Sequence, residues 1–302
     1  MAYAIFAQSI GGGGGTAGAA APSTANDQLH DSVIEAAIAV GGSGGSGCNG
    51  GSVSVANEAG GNIVTFGDLG MGIFAQSIGG GGGVAGITTP NAGLANPMAL
   101  SFGGAGADNN SIDGKGGTVY AGNTASIKTS GDHAMGMMVQ SVGGGGGMAA
   151  IMGAALNTET GLYDSDTQAA TTGIVAPTLA QNWTGENDIG GNVTADLGSG
   201  GSITTSGVNA FGILAQSIGG GGGLIVVDKN TQVSVNSLAP DSNNYAPANG
   251  NNAGIVAVNT QQNTSISTTG DGAAGIVAQS LGGGGAIVNG LKGIDVTTGS
   301  AE

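Results

Sequence analysis

The sequence predicts an all-β protein, a repetitive β-solenoid or parallel β-helix with glycine-rich runs and surface insert loops. The first observation behind this fold class is a cassette that is written five times with small changes. In its second copy it reads Gly-Ile-Phe-Ala-Gln-Ser-Ile followed by five glycines (72–83), and the other copies are 4–15, 136–147, 212–223 and 275–285. The second observation is that apolar residues recur ahead of each cassette at intervals of about ten residues, which is typical of strand, turn and strand.

The cassette glutamines set the period of the repeat. Gln8, Gln76, Gln140, Gln216 and Gln279 are separated by 68, 64, 76 and 63 residues. Self-similarity of this kind indicates an array of structural units that stack on one another. We therefore expect residues 1–302 to form a single repeat array, with cassettes that end near 15, 83, 147, 223 and 285.

The cassette strand is apolar on both of its faces. In Ile73–Ile78 the odd positions carry Ile, Ala and Ser and the even positions carry Phe, Gln and Ile, and a strand directs these two sets to opposite sides. A strand without a polar face belongs in the interior, as in parallel sheets. The cassette is therefore predicted to lie inside the solenoid.

The glutamine in this apolar strand needs partners for its carbonyl oxygen and its N–H donors. Stacked identical amides satisfy one another in ladders. We expect the five cassette glutamines to form an architectural ladder or turn clamp, and the alternative is that they bind a ligand.

The glycine runs are costly to order, because each glycine loses about 0.5–1 kcal/mol more chain entropy than alanine. Left-handed turns, close approach of two backbones or packed polyglycine rods could each offset that cost, and otherwise the runs stay mobile. A phosphate-binding P-loop is a poor explanation, because no run is followed by the required Lys-Ser/Thr and helix.

Upstream of each cassette the apolar residues mark the expected strands. They are Val53, Ile63 and Ile73; Val119, Ile127 and Met137; Val193, Ile203 and Ile213; and Ile255, Ile266 and Ile276, and each glycine run is followed by Val84, Met148, Leu224 or Ala286. Residues 31–40 could form either a helix or a strand. Dissimilar inserts at roughly 24–52, 88–117, 153–190 and 236–252 separate the repeats, and inserts of this kind lie on the surface where recognition usually occurs.

Composition and charge exclude several classes of partner. The net charge is −15, with four lysines and no arginine. Binding of nucleic acid requires a basic surface, so it is not expected, and an anionic membrane surface is repelled for the same reason. No stretch is long and apolar enough to insert into a membrane. Disorder is disfavoured by a mean hydropathy of +0.19 and a charged content of only 8%.

The candidate catalytic and metal-binding residues form no convincing set. Cys48 is the single cysteine, and His30 and His133 are far apart in sequence. Gly103–Asp108 matches one copy of a calcium half-motif that acts in tandem, and the stretch from Asp164 lacks the glycine and the glutamate of an EF-hand. Asp68, Asp132 and Asp271 share one slot in Gly-Asp turns, where aspartate accepts local backbone N–H bonds. We therefore expect no cofactor, no metal and no enzymatic activity.

The two ends of the sequence are in phase with each other. Residues 1–5 enter in mid-cassette, and residues 294–302 read like the leader that precedes the other cassettes. This favours one window of a longer array, and the alternative is a subunit that continues head to tail.

The cassette with its Thr-x-Gly-Asp leader resembles the glycine-rich repeat passenger regions of bacterial autotransporter-type surface proteins. That resemblance implies export, a right-handed parallel β-helix, and an adhesive or surface-coating role at the bacterial cell surface. The expected function is therefore an extracellular, non-enzymatic, stiff solenoid that presents variable loops to a host or surface receptor. The alternative is an extracellular filament subunit that joins neighbouring copies of itself head to tail.

Overall fold

The computed structural model describes residues 3–12, 14–16, 36–40, 49–88, 98–102, 114–151, 188–227, 252–282, 285–290 and 293–298. Every regular element in these ranges is a strand. The predicted all-β repeat is therefore confirmed.

The repeating unit is a coil of four strands. The first coil contains β4 (Val53–Asn57), β5 (Ile63–Thr65), β6 (Ile73–Ile78) and β7 (Gly82–Thr88). The second contains β9 (Val119–Asn123), β10 (Ser126–Thr129), β11 (Met137–Val142) and β12 (Gly146–Ile151). The third contains β13 (Val193–Leu197), β14 (Ser202–Thr205), β15 (Ile213–Ile218) and β16 (Gly222–Val227). The fourth contains β17 (Val256–Thr260), β18 (Ser265–Thr268), β19 (Ile276–Leu281) and β20 (Gly285–Gly290).

Half a coil precedes these four, and it consists of β1 (Ile5–Ile10) and β2 (Gly14–Thr16). Equivalent strands of successive coils pair in parallel and form four stacked sheets. We call them the upstream sheet (β4, β9, β13, β17), the leader sheet (β5, β10, β14, β18), the cassette sheet (β1, β6, β11, β15, β19) and the glycine sheet (β2, β7, β12, β16, β20). Stacking of this kind is a parallel β-solenoid, as the sequence predicts.

The register repeats from coil to coil. Along the cassette sheet each residue pairs with its equivalent, so that Phe6 pairs with Phe74 and Gln8 with Gln76. The same alignment continues through the later coils, and a single irregularity between Met148 and Ala150 shifts the pairing of β12 with β7. Identical residues therefore form columns that run along the solenoid axis.

The cassette sheet is the internal wall of the solenoid. Ile73 and Ala75 face one hydrophobic core, which they share with the upstream and leader sheets, whereas Phe74 faces a second core against the glycine sheet. All six residues of β6 are buried. This confirms the prediction that the cassette strand is enclosed on both sides, and it explains why neither of its faces can be polar.

Two pairings lie outside the coil pattern. Strand β3 (Ala36–Val40) pairs with β8 (Met98–Phe102), and both lie against the glycine sheet. The described part of the 31–40 stretch is thus a strand, and residues 31–35 lie outside the described ranges. Strand β21 (Gly293–Thr298) forms an antiparallel hairpin with β20, whereas the leader strands of the four coils pair in parallel with one another. The short connection places β21 beside β20, which is its nearest strand in sequence.

The ends of the stack expose residues that are buried in the middle coils. Ile276 of β19 is 45% exposed, whereas its equivalents Ile73 and Ile213 are completely buried. At the other end Phe6 is 39% exposed and stacks on Phe74, with ring centroids 5.1 Å apart, and Tyr3 packs against both rings. Within the described part of the chain there is no helix long and apolar enough to cross a membrane.

Candidate functional site: columns of hydrogen bonds along the solenoid axis

The five cassette glutamines form a continuous chain of amide hydrogen bonds. In each step the Nε2 of one glutamine donates to the Oε1 of the glutamine in the next coil, and the distances from Gln8 to Gln279 are 2.6, 2.5, 2.7 and 2.9 Å. Gln76, Gln140 and Gln216 have no exposed surface. Because a fully buried side chain cannot contact a ligand in solution, the geometry favours the architectural interpretation over ligand binding.

A second column joins the cassette serines to glycines that precede the upstream strands. The backbone N–H of Gly117 donates to Ser77 Oγ at 2.9 Å, and Ser141 Oγ donates to the carbonyl oxygen of the same glycine at 2.8 Å. Gly191 links Ser141 to Ser217 in the same way. The hydroxyls of Ser77, Ser141 and Ser217 therefore donate and accept at once, and the chain extends from Ser9, which accepts, to Ser280, which donates.

This serine–glycine column changes the insert boundaries that the sequence predicts. Gly51 falls inside a predicted insert, Gly117 is the last residue of another and Gly191 directly follows a third, and all three belong to the coil. A Cβ at Gly117 or Gly191 would approach a backbone carbonyl oxygen of the preceding coil within 2.4 or 2.3 Å. Glycine is needed there because two backbones meet at a distance that excludes a side chain.

The glycine runs combine two of the explanations that the sequence leaves open. Gly82 and Gly83 have φ values of 126° and 142°, a region that L side chains rarely adopt. A Cβ at Gly82 would lie 2.2 Å from the carbonyl oxygen of Gly146 in the next coil, and one at Gly83 would lie 1.9 Å from that of Gly15 in the preceding coil. Left-handed backbone and close stacking of backbones thus both require glycine.

The turn between the leader and cassette strands has its own repeated contacts. Thr65 and Thr129 donate their hydroxyl hydrogens to the carbonyl oxygens of Gly70 and Ala134, which lie five residues later in the same turn. The position after the aspartate slot adopts positive φ in every coil, and its occupants are Leu69, His133, Asn209 and Gly272. The threonine hydroxyl therefore fastens a turn that contains a left-handed residue.

The aspartate slot bonds to the next coil and not to its own turn, which corrects the expectation from local turn chemistry. Asp68 Oδ1 accepts the backbone N–H of Asp132 at 3.0 Å, and Asp132 Oδ1 accepts that of Val208 at 2.9 Å. The stacking of equivalent turns brings that N–H within hydrogen-bond distance of the carboxylate. Asp68 and Asp132 thus form a third, shorter axial column. The sequence identifies the repeated aspartate position but not the backbone N–H that bonds to it.

Several sequence-predicted candidates lie outside the described residues. They are His30, Cys48, the calcium half-motif at 103–108 with Asp113, and the EF-hand-like stretch that begins at Asp164. His133 is described, and it is buried in the leader–cassette turn. Among the described residues, no group of three or more His, Cys, Asp or Glu side chains could hold a metal ion.

The hydroxyl groups of two tyrosines have raised pKa values. Burial raises the pKa of Tyr3 above the ordinary range. The pKa of Tyr120 is also raised, by burial and by the nearby carboxylate of Asp196. The second case marks a contact between side chains on the outward face of the upstream sheet.

No protein-family model matches this chain, and no curated protein or solved structure matches it either.

Proposed function

We propose that this chain is a non-enzymatic, extracellular structural and adhesive segment of a bacterial surface protein, a stiff solenoid that presents variable loops. The observation that carries the proposal is the pair of unbroken axial columns, the glutamine ladder and the serine–glycine column. The glutamine ladder keeps its register although the cassettes are 63 to 76 residues apart, so inserts of different length are accommodated without a change in the coil. A scaffold that tolerates variable surface inserts suits presentation of recognition elements.

Stiffness follows from the same columns. Bending a stack of parallel strands would lengthen the amide and hydroxyl bonds on one side, and these bonds are buried where water cannot replace them. Each coil adds about 4.8 Å along the axis, so four coils make a short segment and a long rod needs many. The proposal therefore places this segment in an extended array that holds binding surfaces away from the cell.

A head-to-tail filament of separate subunits is the second candidate, and the polarity of the columns favours it. The described C-terminal coil presents Gln279 Nε2 as the next donor, and β1 presents Gln8 Oε1 as the matching acceptor.

The four sheets, however, do not end at the same level along the axis. The cassette and glycine sheets start half a coil before β4 and β5, and β21 covers the edge of β20. If β1 of a second copy stacked on β19, the upstream and leader sheets would each lack one strand at the junction.

The two candidates are separated by electron microscopy of the native assembly together with the mass of the denatured chain. A surface array predicts rods whose coil number, at about 4.8 Å per coil, is accounted for by one long polypeptide. Filaments whose denatured subunit is 28.2 kDa would instead establish the self-assembling fibre. Retention of beads that carry residues 1–302 on bacterial or host cells tests adhesion directly, and absence of retention at every surface would contradict the adhesive role.

A further inference from the structure

Three polar side chains from three coils meet on the outward face of the upstream sheet. Tyr120 lies on β9, Asp196 on β13 and Asn259 on β17, and in the register Asp196 is opposite both Gly122 and Asn259. Asn259 Nδ2 donates a hydrogen bond to Asp196 Oδ1 at 2.6 Å, and the Tyr120 hydroxyl lies beside the same carboxylate. The carboxylate is therefore flanked by a phenol on one side and an amide on the other.

Gly122 determines how the tyrosine ring lies. A Cβ at position 122 would be 2.7 Å from the Tyr120 hydroxyl oxygen and 3.3 Å from a ring carbon, so the ring extends along its own strand over the bare glycine backbone. A side chain at this position would push the ring away from the sheet. The missing Cβ therefore lets the ring lie along the surface, with its hydroxyl beside Asp196.

We propose that Tyr120, Asp196 and Asn259 form a binding site for neutral saccharides on the outward face of the upstream sheet. A fixed aromatic surface offers the apolar contact that the C–H face of a pyranose ring needs, and tyrosine combines an apolar body with a polar tip. The carboxylate can accept further hydrogen bonds and the amide can both donate and accept, which matches the hydroxyl groups at the edge of a sugar.

Charge selects neutral sugars over acidic ones. The chain has a net charge of −15, and the site itself contains a carboxylate. An anionic sugar would meet repulsion from Asp196 and from the field of the whole protein. Lys115 and Lys128, the lysines within the described ranges, are on neither of the strands that supply Asp196 and Asn259.

The site names a ligand class for the proposed adhesive function, and its biological role rests on that function. It places recognition on the solenoid wall itself, in addition to the inserts. Its three members come from different coils, so it exists only when the coils are stacked. Because Asp196 and Asn259 are aligned by strand register, the site is also preorganised, which lowers the entropic cost of binding.

The test measures binding of residues 1–302 to immobilised neutral oligosaccharides of glucose, mannose, galactose and N-acetylglucosamine, with free sugar as competitor. Tyr120→Ala removes the ring, and Gly122→Ala displaces it without deleting any polar group. Both are expected to weaken binding by about tenfold or more. Ser267→Ala, on the outward face of the leader sheet, is the matched control and is expected to bind within about twofold of the wild type.

The Gly122→Ala variant distinguishes loss of the binding site from unfolding of the protein. The residue has no positive φ, and the three atoms nearest to the new methyl group all belong to the Tyr120 side chain, so the melting temperature should be unchanged. Saccharide binding that persists in Tyr120→Ala or in a folded Gly122→Ala variant would overturn the proposal.

The outcomes also separate this site from the proposed function. If the wild type is retained on cells but binds no oligosaccharide of the panel at millimolar concentration, the site is refuted and adhesion stands. If the panel is bound in a Tyr120-dependent manner but no cell surface retains the protein, the site stands and the adhesive role is refuted.

Discussion

The central test of the glutamine ladder is replacement of Gln140 by leucine. Gln140 accepts from Gln76 Nε2 and donates to Gln216 Oε1, and all three side chains are completely buried. The variant leaves one donor and one acceptor without partners, each at a cost of about 1–3 kcal/mol. Burial of the leucine side chain offsets part of that cost, and we expect a net loss of about 2–4 kcal/mol in the free energy of unfolding.

The matched control is Gln279→Leu at the end of the same ladder. Gln279 is partly exposed and accepts one ladder bond, from Gln216, so its variant leaves a single buried donor, Gln216 Nε2, without a partner. The end variant should therefore lose about half as much free energy of unfolding as the central variant, roughly 1–2 kcal/mol. Urea denaturation followed by circular dichroism resolves the two, because the central variant should move the midpoint down by about 1 M. Equal midpoints for the two variants would refute the ladder as a source of stability.

Gln140→Glu adds a test in which the direction of the pH dependence of stability is predicted. The introduced carboxylate can still accept from Gln76, but it faces the acceptor oxygen of Gln216 with no proton to donate. Burial raises the folded-state pKa of this carboxyl, so the variant is least stable relative to the wild type at neutral pH. The deficit should shrink as the pH falls through the raised folded-state pKa, and most of it should be gone near the unfolded value of about 4.3. A deficit that is independent of pH would contradict the donor–acceptor order.

Three further predictions concern the other structural features. Gly146→Ala should prevent stable folding, because φ is 119° and the new Cβ would lie 2.0 Å from a carbonyl oxygen of the next coil. Its control, Gly200→Ala, should cost only about 1–2 kcal/mol of backbone strain, and thermal denaturation measures both variants. Ser141→Ala removes two axial hydrogen bonds and should lower the free energy of unfolding by about 1–3 kcal/mol in the same assay. Above about pH 10 the unfolded chain releases tyrosine protons that folded Tyr3 and Tyr120 retain, so the free energy of unfolding should fall as the pH rises. Replacing both residues by phenylalanine should make this decrease smaller, and urea titrations at several pH values measure it.

The cassette could be placed from sequence because its pattern is local. Six consecutive residues without a polar face can only be enclosed on both sides, and the spacing of Val53, Ile63 and Ile73 marks the first residues of β4, β5 and β6. The glutamine bonds could likewise be anticipated, since an amide in that strand has few other partners.

The serine–glycine column could not be found in the same way, because its partners are distant and irregularly spaced. The bonded serines and glycines are separated by 24 to 50 residues, and the inserts between them differ in length and composition. The position of Gly117 or Gly191 in the coil depends on the path of the chain after an insert, which no local pattern specifies. What the sequence offers is a Gly-Gly pair just before each of three upstream strands, and that pair is inconspicuous in a chain with 67 glycines.

The axial columns also explain why the inserts can vary while the cassette does not. The amide, hydroxyl and carboxylate contacts join residues of the coils, so a change inside an insert leaves them in place as long as the chain re-enters the coil in the same register. A change in the cassette alters contacts with both neighbouring coils at once, as Gln140 illustrates with one bond in each direction. The inserts can therefore change without loss of the solenoid, provided that the cassette and the glycines that meet it stay constant.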